Sequence, residues 1–311
     1  MTTNAIELRD LTKRYGPRRG VDAASLDVPL GSLYGFLGPN GAGKTTTIRI
    51  LLGLLRAHGG SARVLGLDAW RDGPALRREV GSIPGDFRFY PWMDGRGALR
   101  LFGAIRQRDM LKRGCELAER FSLDLSVRVR RMSRGMRQKL GLILALAHDP
   151  QLLILDEPST ALDPLMQDQL RDELRTAASR GRTVFFSSHS LAEVEALCDR
   201  VAIVREGRLV AQDSLDSLRR RAGHEVIVRW RSGGEPSAPP PSLEVVSRDN
   251  GVWKATTRGP VREVLAWLGA APVEDVTIGP PSLESLFRAH YSADGRNDDS
   301  PPARIDGGES P

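Results

Sequence analysis

The stretch GPNGAGKT, residues 38–45, constrains the fold of this chain more than any other feature. It fits the pattern G-x-x-x-x-G-K-[ST], follows the apolar run LYGFL and opens the helix-like run KTTTIRILLGLL. Glycines allow the backbone of such a loop to wrap a phosphate with its N–H groups. Strand, loop and helix in this order predict a P-loop and nucleotide binding rather than a chance glycine-rich turn.

Individual residues of this loop receive predicted roles. Lys44 is predicted to reach the β- and γ-phosphates, and the hydroxyl of Thr45 is predicted to ligate Mg²⁺. The other residues predicted to bind the nucleotide here are Gly38, Pro39, Asn40, Gly41, Ala42, Gly43 and Thr46.

The run LLILDEP, residues 152–158, places two carboxylates at the end of an apolar strand. In open α/β sheets, ligands bind at the carboxyl ends of the strands, which is where Asp156 would stand. Asp156 fits a Walker-B role in holding Mg²⁺, and Glu157 is placed to orient and deprotonate a water. Taken alone, an Asp-Glu pair would be interpreted as a surface feature, but the P-loop favours the catalytic interpretation.

Strands and helices alternate over most of the chain. The patterns predict a buried strand over 183–189, a helix over 168–181 that ends at Gly181, and a hairpin over 200–213. Residues 76–105 are mixed and are predicted to be rich in loops. This alternation predicts an α/β domain around a mainly parallel sheet.

Composition changes after about residue 220. The stretch SGGEPSAPPPS at 232–242 predicts a linker or long loop among short strand-like and helix-like runs. We therefore expect a large α/β domain over 4–220, a small α+β extension over 221–291 and a disordered tail over 292–311.

Composition also excludes several classes of protein. The chain is 40% hydrophobic, which suffices for a normal core, and it has no run of about 20 apolar residues that would span a bilayer. Its start lacks the features of a signal peptide, so we expect a cytoplasmic location. Cys115 and Cys198 have no metal-type spacing and are expected to be free thiols. The net charge of +6 fits either a GC-rich genome or attraction to nucleic acid or to the inner membrane face.

A second candidate anion site lies far from Lys44, in SRGMRQ at 133–138. Ser133 and Gly135 precede an apolar, helix-like run, and a helix N-terminus of this kind attracts an anion. The order of P-loop, SRGMRQ, LLILDE, STALD and the histidine of FSSHS resembles the ATP-binding-cassette (ABC) ATPases. The resemblance covers residues 4–220, and SRGMRQ stands where that family usually has Leu-Ser-Gly-Gly-Gln.

The resemblance implies a P-loop NTPase fold with a helical subdomain, acting as a dimer of two copies of the chain. Each ATP would lie between the P-loop of one copy and the signature of the other, so that two-fold symmetry builds two equal sites. Glu157 resembles the catalytic carboxylate, His189 the switch histidine that contacts the γ-phosphate, and residues 159–163 the D-loop at the dimer interface. The residues that the family pattern assigns to ATP or Mg²⁺, beyond the P-loop, are Tyr15 on the adenine, Ser133, Gly135 and Asp163 on the nucleotide, and Asp156 on the metal.

The signature of this chain departs from the family pattern at two positions. Met132 replaces Leu, which conserves side-chain volume. Arg134 replaces Gly, and we expect its side chain to point away from the phosphate. The arginine-rich surroundings are predicted to be a solvated face, with attraction of phosphate as the alternative.

A further departure is Gly85, which stands where the family usually has a Gln that contacts Mg²⁺ and the attacking water. Three outcomes are open. Asp86 ligates Mg²⁺, or Pro84 and Gly85 form a type II turn and water takes the ligand position, or hydrolysis is weakened while nucleotide binding is retained. We favour the turn, in which Gly85 and Asp86 couple the site to a membrane partner, because Pro and Gly suit its two central positions.

The segment PSLESLFRAHY at 281–291 is similar to the closing segment of ATPases in exporters of the daunorubicin-resistance type. This resemblance implies an exporter ATPase on the cytoplasmic face of the membrane, with a separate permease and no nucleic-acid partner. The stretch 87–102 is predicted to dock the permease, because aromatic residues are enriched at interfaces. The alternative for that stretch is a local mini-core. The alternative function is a soluble ABC ATPase that acts on ribosomes or nucleic acid.

Overall fold

A computed structural model describes residues 3–16, 18–85, 87–231, 236 and 238–280. The chain forms two compact units that divide between Asp216 and Ser217. Asp86, the segment 281–291 and the predicted tail 292–311 lie outside the described residues. Within them, no helix is both long enough and apolar enough to cross a bilayer.

The first unit contains ten labelled strands: β1 (Asn4–Tyr15), β2 (Arg18–Pro29), β3 (Leu33–Leu37), β4 (Gly59–Val64), β5 (Leu67–Asp68), β6 (Val80–Ile83), β7 (Leu152–Asp156), β8 (Thr183–Ser188), β9 (Arg200–Arg205) and β10 (Arg208–Ser214). Its helices are α1 (Lys44–Leu51), α2 (Gly73–Glu79), α3 (Gly95–Arg106), α4 (Leu111–Arg120), α5 (Arg134–Leu146), α6 (Pro164–Ser179) and α7 (Leu191–Leu197), and α8 (Leu215–Ala222) begins at its end.

A six-stranded sheet in the order β10-β9-β3-β8-β7-β6 forms the centre of the first unit. The strands from β9 to β6 pair in parallel, and β10 pairs with β9 as the predicted hairpin. Every residue of β3, β7 and β8 is buried, as expected for strands covered on both faces. The predicted α/β class with a mainly parallel sheet is therefore confirmed.

The first unit also contains features that the sequence did not predict. An antiparallel sheet in the order β2-β1-β4-β5 lies in the same unit. Residues 76–105, predicted to be rich in loops, include the end of α2, the strand β6 and most of α3. The prediction was wrong there because β6 is only four residues long and is defined by its pairing with β7. The start of α3 is fixed locally, since the Asp94 side chain accepts from the N–H of Gly97 at 2.7 Å.

A buried carboxylate joins α4 to α6. Glu173 of α6 is 2% exposed and pairs with Arg113, at 2.9 Å, and with Arg120. Both arginines belong to α4, so this helix is held to the core by charge as well as by packing. A buried acid that lost both partners would be strongly destabilising.

Within the described residues, the second unit contains most of α8, one antiparallel sheet and one further helix. The strands are β11 (His224–Trp230), β12 (Leu243–Asp249), β13 (Val252–Thr257) and β14 (Val273–Gly279), in the order β12-β13-β11-β14, and the helix is α9 (Val261–Gly269). Its core contains Trp230 and Trp253, which meet edge to face with ring centroids 5.1 Å apart. Val226, Val228 and Trp230 alternate with more exposed residues, which explains the two-residue period of the sequence there.

The packing of α5 on the central sheet leaves no room for a side chain at Gly81 of β6. A Cβ at this position would lie 2.2 Å from the carbonyl oxygen of Ala145 and 2.7 Å from Leu153 and Pro150 side-chain atoms. Gly81→Ala is therefore expected to lower the free energy of unfolding by about 1–3 kcal/mol, measured by denaturant titration. The control is Gly59→Ala, whose Cβ would meet its nearest neighbour at 3.8 Å. Equal losses in the two variants would refute the packing constraint.

Candidate nucleotide site

The P-loop connects β3 to α1 at the carboxyl edge of the central sheet. Gly41 and Gly43 have φ values of 83° and 103°, which favour glycine. A Cβ at Gly43 would also lie 2.2 Å from the carbonyl oxygen of Gly20 on β2. Gly43 is the N-cap of α1, and no described side chain caps this helix end. The free N–H groups of its first turn are therefore available to an anion.

Lys44 is buried inside the loop and forms part of a chain of charged groups. Its Nζ donates to the carbonyl oxygens of Gly38, at 2.6 Å, and Pro39, at 3.1 Å, and lies 3.3 Å from Oε1 of Glu157. The other carboxylate oxygen of Glu157 lies 2.6 Å from Nδ1 of His189. Glu157 is thus held between an ammonium and an imidazole, next to the phosphate-binding loop.

Asp156 ends β7 with its carboxylate 2% exposed. Its Oδ1 accepts from the Ser187 hydroxyl at 2.5 Å, and that hydroxyl accepts from the backbone N–H of Glu157 at 3.0 Å. Its Oδ2 is buried and has no hydrogen-bond partner among the described residues. Such an oxygen is costly unless it meets a cation or a donor. Oδ2 therefore fits a hard cation such as Mg²⁺, and Thr45 lines the same cavity.

Gly85 lies next to the Asp156 carboxylate, and the turn that contains Gly85 differs from the predicted type II turn. The N–H of Phe87 donates to the carbonyl of Pro84 at 3.3 Å, so Pro84 is the first residue of this turn and not its second. The φ of Gly85 is not positive, so the type II turn with Gly at its second central position is wrong. A Cβ at Gly85 would lie 2.7 Å from Oδ2 of Asp156. A side chain at position 85 would therefore have to displace the end of the Asp156 side chain.

Two adjoining cavities meet at Asn40, Thr45 and Glu157. The first, which we call the P-loop cavity, has a volume of about 460 Å³ and is also lined by Tyr15, Gly20, Gly41, Gly43, Lys44 and Thr46. The second, the carboxylate cavity, has a volume of about 660 Å³ and contains Asp156 and Gly85. The arginines that line the carboxylate cavity are Arg49, Arg88, Arg134 and Arg137.

Comparison with known proteins agrees with this geometry. A family model described as ABC transporter matches residues 21–160. The daunorubicin resistance ATP-binding protein DrrA3 of Streptomyces coeruleorubidus is 33% identical, and the match covers 95% of this chain and 98% of that protein. This chain belongs to the ABC transporter ATP-binding proteins. It is therefore an ATPase of that family.

Other relatives and solved structures extend the comparison. The bacitracin transport ATP-binding protein BcrA of Bacillus licheniformis is 39% identical to this chain. The match covers 70% of this chain and 72% of BcrA. A solved ATP-binding subunit of an ABC transporter superposes with a TM-score of 0.66 at 30% identity, covering 70% of this chain and 92% of that one. A dimeric ABC cassette solved with ADP and phosphate, at 20% identity and a TM-score of 0.60, shares the fold.

The signature residues of this ABC protein lie elsewhere than the P-loop cavity. Ser133 is the N-cap of α5, where its Oγ accepts from the N–H of Met136 at 3.1 Å. Asp163 caps α6 by accepting from the N–H of Met166 at 2.9 Å. Ser133, Gly135 and Asp163 line neither of the two cavities. Within one chain, these three predicted nucleotide-binding residues are therefore not brought to the P-loop.

Several site features were missed by sequence reasoning. Ser187, which positions both Asp156 and the backbone of Glu157, stands two residues before His189 in FSSHS. Serine between a buried strand and a site histidine was the available signal. Arg88 and Arg134 line the carboxylate cavity and are both exposed, so Arg134 is solvated, as expected, at the mouth of that cavity. Tyr15, 46% exposed, lines the P-loop cavity, and its role as an adenine platform stays a prediction.

Gly85→Gln restores the residue type usual in the family, yet we expect it to impair this ABC ATPase. The new Cβ would press on Oδ2 of Asp156, whose other oxygen is fixed by Ser187. Displacement of the carboxylate that is predicted to hold Mg²⁺ should lower kcat by about tenfold or more, while ATP still binds. Steady-state ATPase and nucleotide-binding assays check this, with Gly59→Gln as the control. Parental kcat in Gly85→Gln would contradict the steric reason for glycine.

Proposed function

We propose that this chain is the ATP-hydrolysing subunit of an exporter for drug- or antibiotic-like compounds, working with a separate integral membrane permease. The single observation that carries the ATPase chemistry is the Lys44–Glu157–His189 chain of contacts beside the P-loop. The names of the daunorubicin resistance and bacitracin transport relatives support the export role. The chain would sit on the cytoplasmic face of the membrane through its permease.

ATP would enter the P-loop cavity with its adenine on Tyr15 and its phosphates under the free N–H groups of α1. Lys44, which pairs with Glu157, would contact the β- and γ-phosphates and neutralise part of their charge. Thr45 and Oδ2 of Asp156 would hold Mg²⁺, which neutralises phosphate charge when bound. Glu157 would accept a proton from the attacking water, and His189 would keep its carboxylate oriented.

The positions of the signature residues favour a homodimer. Ser133, Gly135 and Asp163 line neither cavity of their own chain, which favours contact with a nucleotide held by a second copy. A two-fold dimer would place α5 of one copy over the P-loop of the other and form two equal sites. The N-terminus of α5 then adds its dipole and N–H groups to the phosphates.

The aromatic stretch 87–102 divides into a packed part and an exposed part. Phe87 and Phe89 meet edge to face at 5.2 Å, and the space above Gly141 of α5 is filled by the Phe87 ring. Tyr90 and Trp92 stack at 5.6 Å but are 61% and 68% exposed. We assign the permease contact to Tyr90 and Trp92, while Phe87 and Phe89 form the mini-core that was the alternative.

The rival function, action on ribosomes or nucleic acid, has less support. The first unit contains one cassette, and the longest described helix is α6, with 16 residues. A long coiled-coil insertion is thus not found within the described residues. The positive net charge does not distinguish the two functions, because the inner membrane face is anionic, as nucleic acid is.

The dimer and the role of Glu157 are tested together. Glu157→Gln keeps the side-chain shape but removes the base, so hydrolysis should fall by about 100-fold or more while ATP binding persists. ATP should then trap a dimer, visible by size-exclusion chromatography. Ser133→Arg in the same background should abolish this dimer without weakening ATP binding to the monomer, whereas Ser179→Arg should not. Loss of monomer binding in Ser133→Arg would contradict the two-copy site.

The permease contact is tested with the membrane protein encoded by the neighbouring gene. Co-expressed with it, Trp92→Ser should weaken the complex by about tenfold or more, since exposed aromatic residues often anchor interfaces. ATPase activity of the isolated subunit should stay within twofold of the parent. Trp70→Ser, at another exposed tryptophan (48%), is the matched control. Undiminished co-purification of Trp92→Ser would place the contact elsewhere.

A further inference from the structure

The carboxylate cavity is lined by more positive charge than its own two acids neutralise. Glu157 contacts Lys44 and His189 instead of an arginine. Asp156 accepts from the Ser187 hydroxyl through one oxygen, and its other oxygen has no hydrogen-bond partner among the described residues. The arginines that line the cavity are Arg49, Arg88, Arg134 and Arg137. An anion that entered it would therefore meet guanidinium groups that these acids do not neutralise.

Arg88 is the arginine of this cavity that is free to meet such an anion. Its side chain is exposed and makes no ion pair or hydrogen bond with any described residue. Arg137 donates to the carbonyl oxygen of Met132 at 2.7 Å, and Arg49 has an interaction of its own. Arg134 begins α5, the helix end that the proposed dimer places over a second copy. Within its own chain, Arg88 is therefore the uncommitted cation of the site.

The position of Arg88 in the chain brings it close to Asp156. The turn from Pro84 to Phe87 is closed by a hydrogen bond of 3.3 Å from the N–H of Phe87 to the carbonyl of Pro84. Its second residue, Gly85, approaches Asp156 so closely that a Cβ would lie 2.7 Å from Oδ2. Arg88 directly follows this turn and lines the same cavity as Asp156. The guanidinium is thus carried by the segment that borders the oxygen proposed to hold Mg²⁺.

Aromatic packing holds the backbone on both sides of Arg88. The rings of Phe87 and Phe89 meet edge to face with centroids 5.2 Å apart. A Cβ at Gly141 of α5 would lie 2.8 Å from the ring of Phe87, so this ring packs directly on the helix. The segment is anchored while the side chain of Arg88 stays exposed. A cation on a held backbone loses less conformational freedom on binding than one on a mobile loop.

We propose that Arg88 binds the γ-phosphate of the ATP held by its own chain, a role that rests on the proposed hydrolysis of ATP at this site. A guanidinium carries only donors, so Arg88 neither ligates Mg²⁺ nor acts as a base. Its planar fork gives two N–H donors to oxygens of one phosphate. The γ-phosphate is the end of ATP that would lie beside Asp156 and Glu157, since Tyr15 lines the other cavity.

The contact would distinguish ATP from ADP and would also assist hydrolysis. ADP lacks the γ-phosphate, so Arg88 would contribute to the binding of ATP alone. During phosphoryl transfer, negative charge is spread over the oxygens of the transferred group, and a guanidinium beside them lowers the barrier. Arg88 is thereby a catalytic residue of this ATPase that touches the reacting group, in addition to Lys44 and Glu157.

The binding experiment uses the full chain carrying Glu157→Gln and Ser133→Arg, which is expected neither to hydrolyse ATP nor to form the ATP-bound dimer. The affinities for ATP and ADP are measured by calorimetry in the presence of Mg²⁺. Adding Arg88→Gln should weaken ATP binding by about tenfold, because a charge-assisted contact is lost, and should change ADP binding by less than about twofold. Arg88→Lys keeps the charge and should recover part of the ATP affinity.

Hydrolysis is measured separately, in the chain that is otherwise unchanged. Arg88→Gln should lower kcat by about 100-fold, as expected when one preorganised donor to a developing charge is removed. Arg100→Gln is the matched control, at an exposed arginine of α3 that does not line the cavity. It should leave kcat and both nucleotide affinities within about twofold of the parent, since it removes the same charge elsewhere on the surface.

Three results would overturn the role of Arg88. They are an ATP affinity that Arg88→Gln leaves unchanged, an equal loss of ATP and ADP affinity, and an equal effect of Arg100→Gln. An equal loss for both nucleotides would mean that Arg88 only supports the structure of the cavity. None of these results would affect the proposed function, which fails instead if Glu157→Gln alone does not slow hydrolysis.

Discussion

The carboxylate of Asp156 is 2% exposed, and one of its oxygens has no hydrogen-bond partner within the described structure. A charge in such a position is unfavourable unless a cation or donors surround it. Ser187, on the neighbouring strand β8, fixes the other oxygen. Gly85, just beyond β6 on the other side, leaves room beside the free one. The order β8-β7-β6 thus shapes the site around one acid, and the P-loop closes it from β3.

Contacts between charged groups also organise the site. Lys44, Glu157 and His189 are joined by short polar contacts. An incoming γ-phosphate would compete with Glu157 for the ammonium, which releases the carboxylate to act on water. The arginines of the carboxylate cavity, among them Arg88 and Arg134, lower the cost of placing phosphate next to two acids. Preorganised charge of this kind supplies much of the stabilisation in phosphoryl transfer.

The short segment after β6 connects the site to the exposed aromatic pair that we propose as the permease contact. Gly85 touches the Asp156 carboxylate, and Phe87 packs on Gly141 of α5. Tyr90 and Trp92 then present their stacked rings to solvent. Within a few residues, the chain passes from the buried acid, across the helix that carries Ser133, to an exposed surface. A movement of Gly85 would be transmitted to Tyr90 and Trp92, because Phe87 between them is packed against α5.

Local sequence patterns were enough to identify the P-loop, the acidic end of β7 and the ABC family, because each is encoded by adjacent residues or by fixed spacing. Lys44, Thr45, Asp156 and Glu157 were all assigned from such local patterns. Position 85 lies against the Asp156 carboxylate of another strand, which is known only from the tertiary structure. The tertiary structure also determines which aromatic residues face solvent. The strand β6 and the separate antiparallel sheet likewise depend on pairing between segments that are distant in sequence. Contacts of this kind depend on which strands become neighbours, and no local sequence pattern specifies that.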